Sequence, residues 1–430
     1  MSDRQDASAV ALGVEFLSSP RFANALAVTI ISTGVISTAI TRTIGWAGLI
    51  AILAGLVVLA VLSLLAQRNL IEWQGILPLS LFSFLGWTIA SVAWSQYQWA
   101  TVGGLAYLIS FTVLGLYVAV TRDTIQIVRA FGDVLRVVLA ASLILEIFSG
   151  VLIDAPIRFL GIEGNLAELG PIQGLLSTRN ELGFVAVIAA ITFGTEFRTR
   201  SVSRSVAATS LALAAACILL SRSPVTTGVV ALTLAAAAAL YGLRRVPADR
   251  RTFWQLALLG AVAVLVVIAW LIRGPIVALL NATGALDYRL ELWRQVWMLI
   301  AVHPLEGWGW VGPWRPDVQP FPLFAAVHGH VSGGALNAYL DVWFQLGIVG
   351  LVILIGVVGL AFVRSWLLAG RRKSFVFAWP ALILVAVIST SLAESVMLAD
   401  YGWLVLVVCC VKAARELSWR TALRTPPSRL

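Results

Sequence analysis

The chain has 430 residues, 60% hydrophobic and only 12% charged, with a mean hydropathy of +0.93 and a net charge of +9. Soluble globular proteins carry about 25% charged residues, so no soluble core hides this much apolar surface, and the bilayer must act as solvent. The basic balance, which in a soluble chain suggests nucleic acid, is accounted for here by the enrichment of Lys and Arg in the cytoplasmic loops of membrane proteins.

Residues 1–21 are polar or mixed and read as a cytoplasmic segment without a cleavable signal. Twelve apolar runs then follow, each near the roughly 17 to 25 residues that a helix needs to cross the hydrocarbon. They fall at about 22–40, 44–66, 75–94, 100–121, 131–152, 180–196, 206–221, 224–242, 254–272, 337–363, 375–393 and 398–413. The expected organisation is nine spans over 22–272, an extracytoplasmic loop over 273–336, three spans over 337–413 and a cytoplasmic tail over 414–430. Cys217, Cys409 and Cys410 all lie inside apolar runs and read as packing residues, not as a disulfide or zinc framework.

Loop charge sets the orientation. Numbered along the chain, every even loop is basic: Arg68, then Arg122 and Arg129, then Arg198, Arg200 and Arg204, then Arg244, Arg245, Arg250 and Arg251, then Arg364, Arg371, Arg372 and Lys373. The tail adds Lys412, Arg415, Arg420, Arg424 and Arg429. The odd loops hold only Arg42, Arg158, Arg179, Arg222, Arg273, Arg289, Arg294 and Arg315. This alternation predicts both termini inside, and the Arg-heavy, Ala/Val/Leu-rich composition suggests a bacterial source and so a bacterial inner membrane.

The long late loop carries the candidate chemistry. Tyr288 to Val302 reads as an amphipathic helix with Leu290, Trp293, Val296, Trp297 and Ile300 on one face, lying at the outer membrane surface. All three histidines of the chain, His303, His328 and His330, fall in this loop. Histidine is the usual side chain for proton transfer near neutral pH. They read either as a site or as solvated loop residues. His328 and His330 lack convincing further metal ligands, with Asp317 and Asp341 candidates only in principle. Arg179, Arg222 and Arg289 lie near membrane level on the side that basic residues avoid. Guanidinium forks match phosphate geometry, so one reading is a diphosphate site at the outer leaflet. The other is snorkelling, or ion pairing with Glu181, Asp287 or Glu291. Gly307–Gly312 fits GxGxxG by letter but lacks the strand and helix of a dinucleotide site.

Several strings in this region resemble the O-antigen ligase and Wzy-type polymerase superfamily. They are Arg289-Leu290-Glu291-Leu292-Trp293, His303-Pro304-Leu305-Glu306-Gly307-Trp308-Gly309, Asn337-Ala338-Tyr339-Leu340-Asp341 and Gly347-Ile348-Val349-Gly350-Leu351. Arg179-Asn180-Glu181-Leu182-Gly183 and Ser221-Arg222-Ser223 resemble its upstream motifs. The resemblance implies an all-α polytopic fold of the GT-C type and a metal-independent, inverting glycosyltransferase without a cofactor. Its partners would be a polyprenyl diphosphate-linked glycan donor and a glycan, lipid or protein acceptor. Arg179, Arg222 and Arg289 would grip the diphosphate, and a histidine would position or deprotonate the acceptor. Asn337, His303, Gly307 and Gly309 would support the loop. The family often has histidine before the asparagine of its last motif, where this chain has Leu336. Either His330 or His328 reaches the same point from the glycine-rich stretch, or this chain lacks the usual base. Two other function classes fit the hydropathy. One is a transporter or lipid-linked glycan flippase, with Arg136, Glu146 and Glu394 as its ionisable groups. The other is a non-catalytic envelope-assembly scaffold, which the departure at Leu336 favours.

Overall fold

The computed structural model describes residues 12–68, 78–247, 249–271, 274–275, 283–324, 333–372 and 374–416. Among them the regular structure is helical, with one isolated antiparallel bridge between Ile157 and Ile162. The helices are α1 (Pro20–Val35), α2 (Ser37–Ala66), α3 (Leu79–Ala90), α4 (Gln98–Thr121), α5 (Thr124–Ile147), α6 (Arg179–Thr199), α7 (Arg204–Ser221), α8 (Pro224–Arg245), α9 (Arg251–Leu271), α10 (Thr283–Ile300), α11 (Ala338–Arg371), α12 (Ala378–Thr390) and α13 (Asp400–Glu416). Each of the twelve expected apolar runs coincides with helix. Seven helices are long and apolar enough to cross a membrane among the described residues, and two shorter apolar helices join them. The chain is a multi-pass, all-helical membrane protein.

Two glycines place breaks inside continuous helix, one where two expected runs already part and one within a single expected run. Gly45 (φ 75°) divides α2, so the expected runs 22–40 and 44–66 separate there. Gly347 (φ 69°) divides α11 into a short N-terminal arm and a long span. A Cβ at Gly347 would sit 2.0 Å from the Leu305 carbonyl oxygen, so only glycine lets the late loop cross at this point. Trp87 Nε1 donates to the Leu346 carbonyl at 2.9 Å and satisfies an acceptor next to the break.

α12 and α13 form the centre of the bundle. Trp379 and Trp403 are fully buried and donate to Thr192 Oγ1 (3.0 Å) and Thr112 Oγ1 (2.8 Å). Lipid supplies little hydrophobic drive between helices, so such bonds and small residues set the close approaches. Gly115 of α4 meets Val407 of α13 in this way, leaving no room for a larger residue without a shift. α2, α7, α8 and α9 carry exposed apolar residues such as Leu62, Leu219, Leu234 and Leu259.

The loops sort onto two ends. At one end Arg122 Nη2 donates to Asn24 Oδ1 (2.7 Å), and Lys412 Nζ to the Arg122 carbonyl (2.6 Å). Arg244 Nε reaches the Ala369 carbonyl (2.8 Å), and Arg198 lies over Phe375. These are the even, basic loops together with both described chain ends. At the other end Arg42 binds the Leu160 carbonyl, Ile172 N the Leu220 carbonyl (3.1 Å) and Trp94 Nε1 the Glu306 carbonyl (3.1 Å). Asn337 Nδ2 donates to the Leu392 carbonyl (3.2 Å). These are the odd loops. The alternation of charge along the sequence is therefore a segregation in space.

α10 divides its expected apolar face. Val296 and Ile300 are buried with Leu292 against an aromatic core of Trp314, Phe321, Phe324 and Phe344, while Leu290 is 50% and Trp297 47% exposed. Trp293 stays on the inner side, donating Nε1 to the Ala335 carbonyl at 2.8 Å.

Candidate functional site

The short arm of α11 organises the late loop. Asn337 caps it, its Oδ1 accepting from Tyr339 N (3.0 Å) and Leu340 N (3.1 Å). Asp341 and Gln345, four residues apart, share the inward face. Asp341 accepts from Trp314 Nε1 (2.8 Å), Gln345 Nε2 (2.9 Å), Ala335 N (3.2 Å) and Ser395 Oγ (2.8 Å). Four donors fill this carboxylate, which makes it a structural hub and not the metal ligand considered from sequence. Gln345 Oε1 in turn accepts from Val311 N (2.8 Å) and Gly312 N (3.0 Å). Asp317, the other metal candidate, is paired with Arg315 at 2.7 Å.

Gly307 and Gly309 have φ of 72° and 102° and bring the loop backbone against α11. Trp308 N donates to the Phe344 carbonyl (3.1 Å) and Gly309 N to the Gln345 carbonyl (2.8 Å). His303 ends α10, with Nδ1 2.9 Å from Glu306 Oε1 and its ring edge-on to Trp308. That contact holds the Glu306 carboxyl below its usual range. His303 thus belongs to the root of the loop.

Where the odd loops meet, they enclose a cavity of about 380 Å³. Its walls include Trp46 beside the Gly45 break, Tyr107, Thr178 and Glu181, Gly333 to Leu336 in part, and Glu394 to Tyr401 in part. Leu336, at the position where the family often has histidine, lines it with φ 49°. Glu181 is held by Ser177 N at 3.0 Å and by the Ser177 hydroxyl. Tyr107 donates its hydroxyl to Asp400.

One chain of side chains meets this cavity at Glu394. Arg289 Nη2 donates to Glu394 Oε1 at 2.8 Å, and both side chains are 12% exposed. Asn180 Nδ2 donates to the same Glu394 oxygen at 2.5 Å. Ser223 Oγ donates to Asn180 Oδ1 at 2.7 Å. Arg179 directly precedes Asn180, and Arg222 directly precedes Ser223. The three arginines singled out from sequence therefore sit on, or one residue from, one connected chain spanning four odd loops.

The partners differ from expectation. Arg289 pairs with Glu394, not with Glu181, Asp287 or Glu291. Arg179 opens α6 half-buried, and Arg222 closes α7 in the left-handed region, exposed. Neither makes an ion pair among the described residues. His328 and His330 lie outside the described residues; the cavity-lining Gly333 follows His330 by three positions. Glu394 was visible in sequence only as an intramembrane acid. Asp400 and Tyr401 gave no signal of a site.

The two remaining transport candidates are tied up. Arg136 binds Glu196, Asp133 (2.9 Å) and Ser210 (2.9 Å) near the basic end. Glu146 Oε1 accepts from Gln173 N (3.0 Å) and Gly174 N (2.8 Å) and so anchors the loop before α6.

Residues 207–355 match the family model described as O-Antigen ligase. The matched segment runs from α7 through the late loop and the Gly347 break. No curated protein matches the chain.

Proposed function

We propose that this chain is an outer-leaflet transferase of cell-surface polysaccharide biosynthesis that moves glycan from a polyprenyl diphosphate carrier to an acceptor hydroxyl, a reading supported by the match of residues 207–355 to the O-Antigen ligase family. The observation that carries it is the chain Arg289–Glu394–Asn180–Ser223, which reaches the cavity at Glu394, with Arg179 and Arg222 adjoining it in sequence. The basic end of the bundle faces the cytoplasm of a bacterial inner membrane by the charge rule. The cavity then opens on the opposite side, where carrier-linked glycans are consumed. Twelve spans in a GT-C-like arrangement belong to the same proposal.

In this reading the acceptor oxygen attacks the anomeric carbon as the bond from that carbon to the diphosphate oxygen breaks. The configuration inverts in a single displacement, and polyprenyl diphosphate leaves. Negative charge grows on the leaving oxygen, so fixed guanidinium groups stabilise the transition state more than the ground state. Arg179 and Arg222 supply unpaired forks. Arg289 can exchange its Glu394 partner for phosphate. The acceptor proton passes to His330, with His328 as the alternative base, because a sugar hydroxyl is a weak acid. No metal ion is part of this proposal.

Purified chain in lipid nanodiscs, supplied with polyprenyl diphosphate glycan and an acceptor, tests the roles. Arg179→Ala, Arg222→Ala and Arg289→Ala are each expected to lower transfer by about 10²-fold or more, and His330→Ala by about 10²-fold. Transfer that survives all four substitutions unchanged would falsify the mechanism.

A further inference from the structure

The arginines and the cavity have opposite electrostatic character. Glu181, Glu394 and Asp400 line the cavity, and no described lining residue is basic. The diphosphate therefore belongs beside the arginines, and something else fills the cavity. Its volume of about 380 Å³ falls in the range of small-ligand pockets, ample for one sugar ring. Trp46 and Tyr107, 5.9 Å apart and edge-to-face, offer aromatic surface to the apolar face of a ring. Thr38, Thr41 and Thr178 add hydroxyls to the wall.

A second observation points independently to a ligand. Among the described residues the Tyr401 hydroxyl has no hydrogen-bond partner, although Tyr401 is only 4% exposed and lines this cavity. A buried hydroxyl left unpaired costs about 1–3 kcal/mol, which a ligand oxygen removes on binding.

We infer that the cavity seats an uncharged pyranose ring of the glycan substrate, hydrogen-bonded to Tyr401 and to Asp400, and that its carboxylates exclude acidic sugars such as hexuronates. The inference rests on the transferase reading and deepens it. Carboxylates accept hydrogen bonds from sugar hydroxyls, whereas a sugar carboxylate placed among them meets like charge at short range.

The test is equilibrium binding to full-length chain in nanodiscs, with three probes: polyprenyl diphosphate carrying one N-acetylhexosamine, the same lipid carrying one hexuronic acid, and the bare lipid. The N-acetylhexosamine lipid is expected to bind about tenfold or more tighter than the hexuronate lipid. Tyr401→Phe is expected to weaken the N-acetylhexosamine lipid by about fivefold while leaving the bare lipid unmoved. Asp400→Asn is expected to narrow the preference. If the wild-type chain does not discriminate in binding but Tyr401→Phe raises the KM for a neutral acceptor alone, the ring seated is the acceptor's. Thr41→Val serves as a second probe should Tyr401→Phe lower the thermal midpoint. Equal binding of all three lipids, with Tyr401→Phe and Thr41→Val moving neither Kd nor KM, overturns the inference even if transfer proceeds. Discrimination in binding without any transfer keeps it and sinks the transferase reading alone.

Discussion

Arg289 and Glu394 carry most at the scale of single residues. A buried ion pair is worth little net against apolar residues, but removing one partner strands a charge. Arg289→Ala is expected to cost about 3 kcal/mol of stability, and the double variant Arg289→Met with Glu394→Leu to recover most of it, by equilibrium unfolding in mixed micelles. Additive losses would deny the coupling. The root of the late loop gives a pH signature. His303 holds Glu306 below its usual range, so the folded protein binds this proton more weakly than the unfolded chain. The contact's contribution is present above the unfolded value of about 4.3 and is lost as pH falls through the folded value. The thermal midpoint of the wild type is expected to exceed that of Glu306→Gln at neutral pH and to converge with it below about pH 4. A constant gap would contradict the assignment.

At the scale of elements, the glycine breaks are the sharpest claim. Gly347→Ala forces a side chain into the left-handed region and against the Leu305 carbonyl. It is expected to cost about 2 kcal/mol or more. Gly356→Ala in the same helix, where a Cβ meets nothing within 4 Å, is expected to be neutral or slightly stabilising in the same unfolding assay. Similar effects at both positions would deny that the loop crosses at Gly347. These breaks also mark the limit of what sequence conveys. Apolar run length is local, so the helices that coincide with the apolar runs were legible. The break at Gly45 falls where two expected runs already part, whereas that at Gly347 was not legible, because only the crossing chain makes it necessary. The burial of Leu292 in α10 was not legible, because it depends on the aromatic core of Trp314, Phe321, Phe324 and Phe344. The arginines stood out because they oppose the charge rule. Their connection through Asn180 to Glu394 joins residues 214 positions apart, and nothing in the sequence announces it. Nor does any local pattern mark the unpaired hydroxyl of Tyr401.

For the whole molecule, the two ends of the bundle make the orientation testable. Single cysteines replacing Arg315 at the cavity end and Arg371 at the basic end are expected to react with an impermeant maleimide from opposite faces of sealed vesicles. Cys217, Cys409 and Cys410 are buried and should give little background. Labelling of both from one face would overturn the segregation. The central claim is that this cavity breaks the link between glycan and diphosphate. Its most direct measurement is the release of polyprenyl diphosphate from labelled carrier-linked glycan, in step with glycan appearing on acceptor, by purified chain in nanodiscs. The account predicts equal amounts of the two products and their joint loss in Arg289→Ala. Folded protein that binds the lipid yet releases no polyprenyl diphosphate in the presence of acceptor would contradict it.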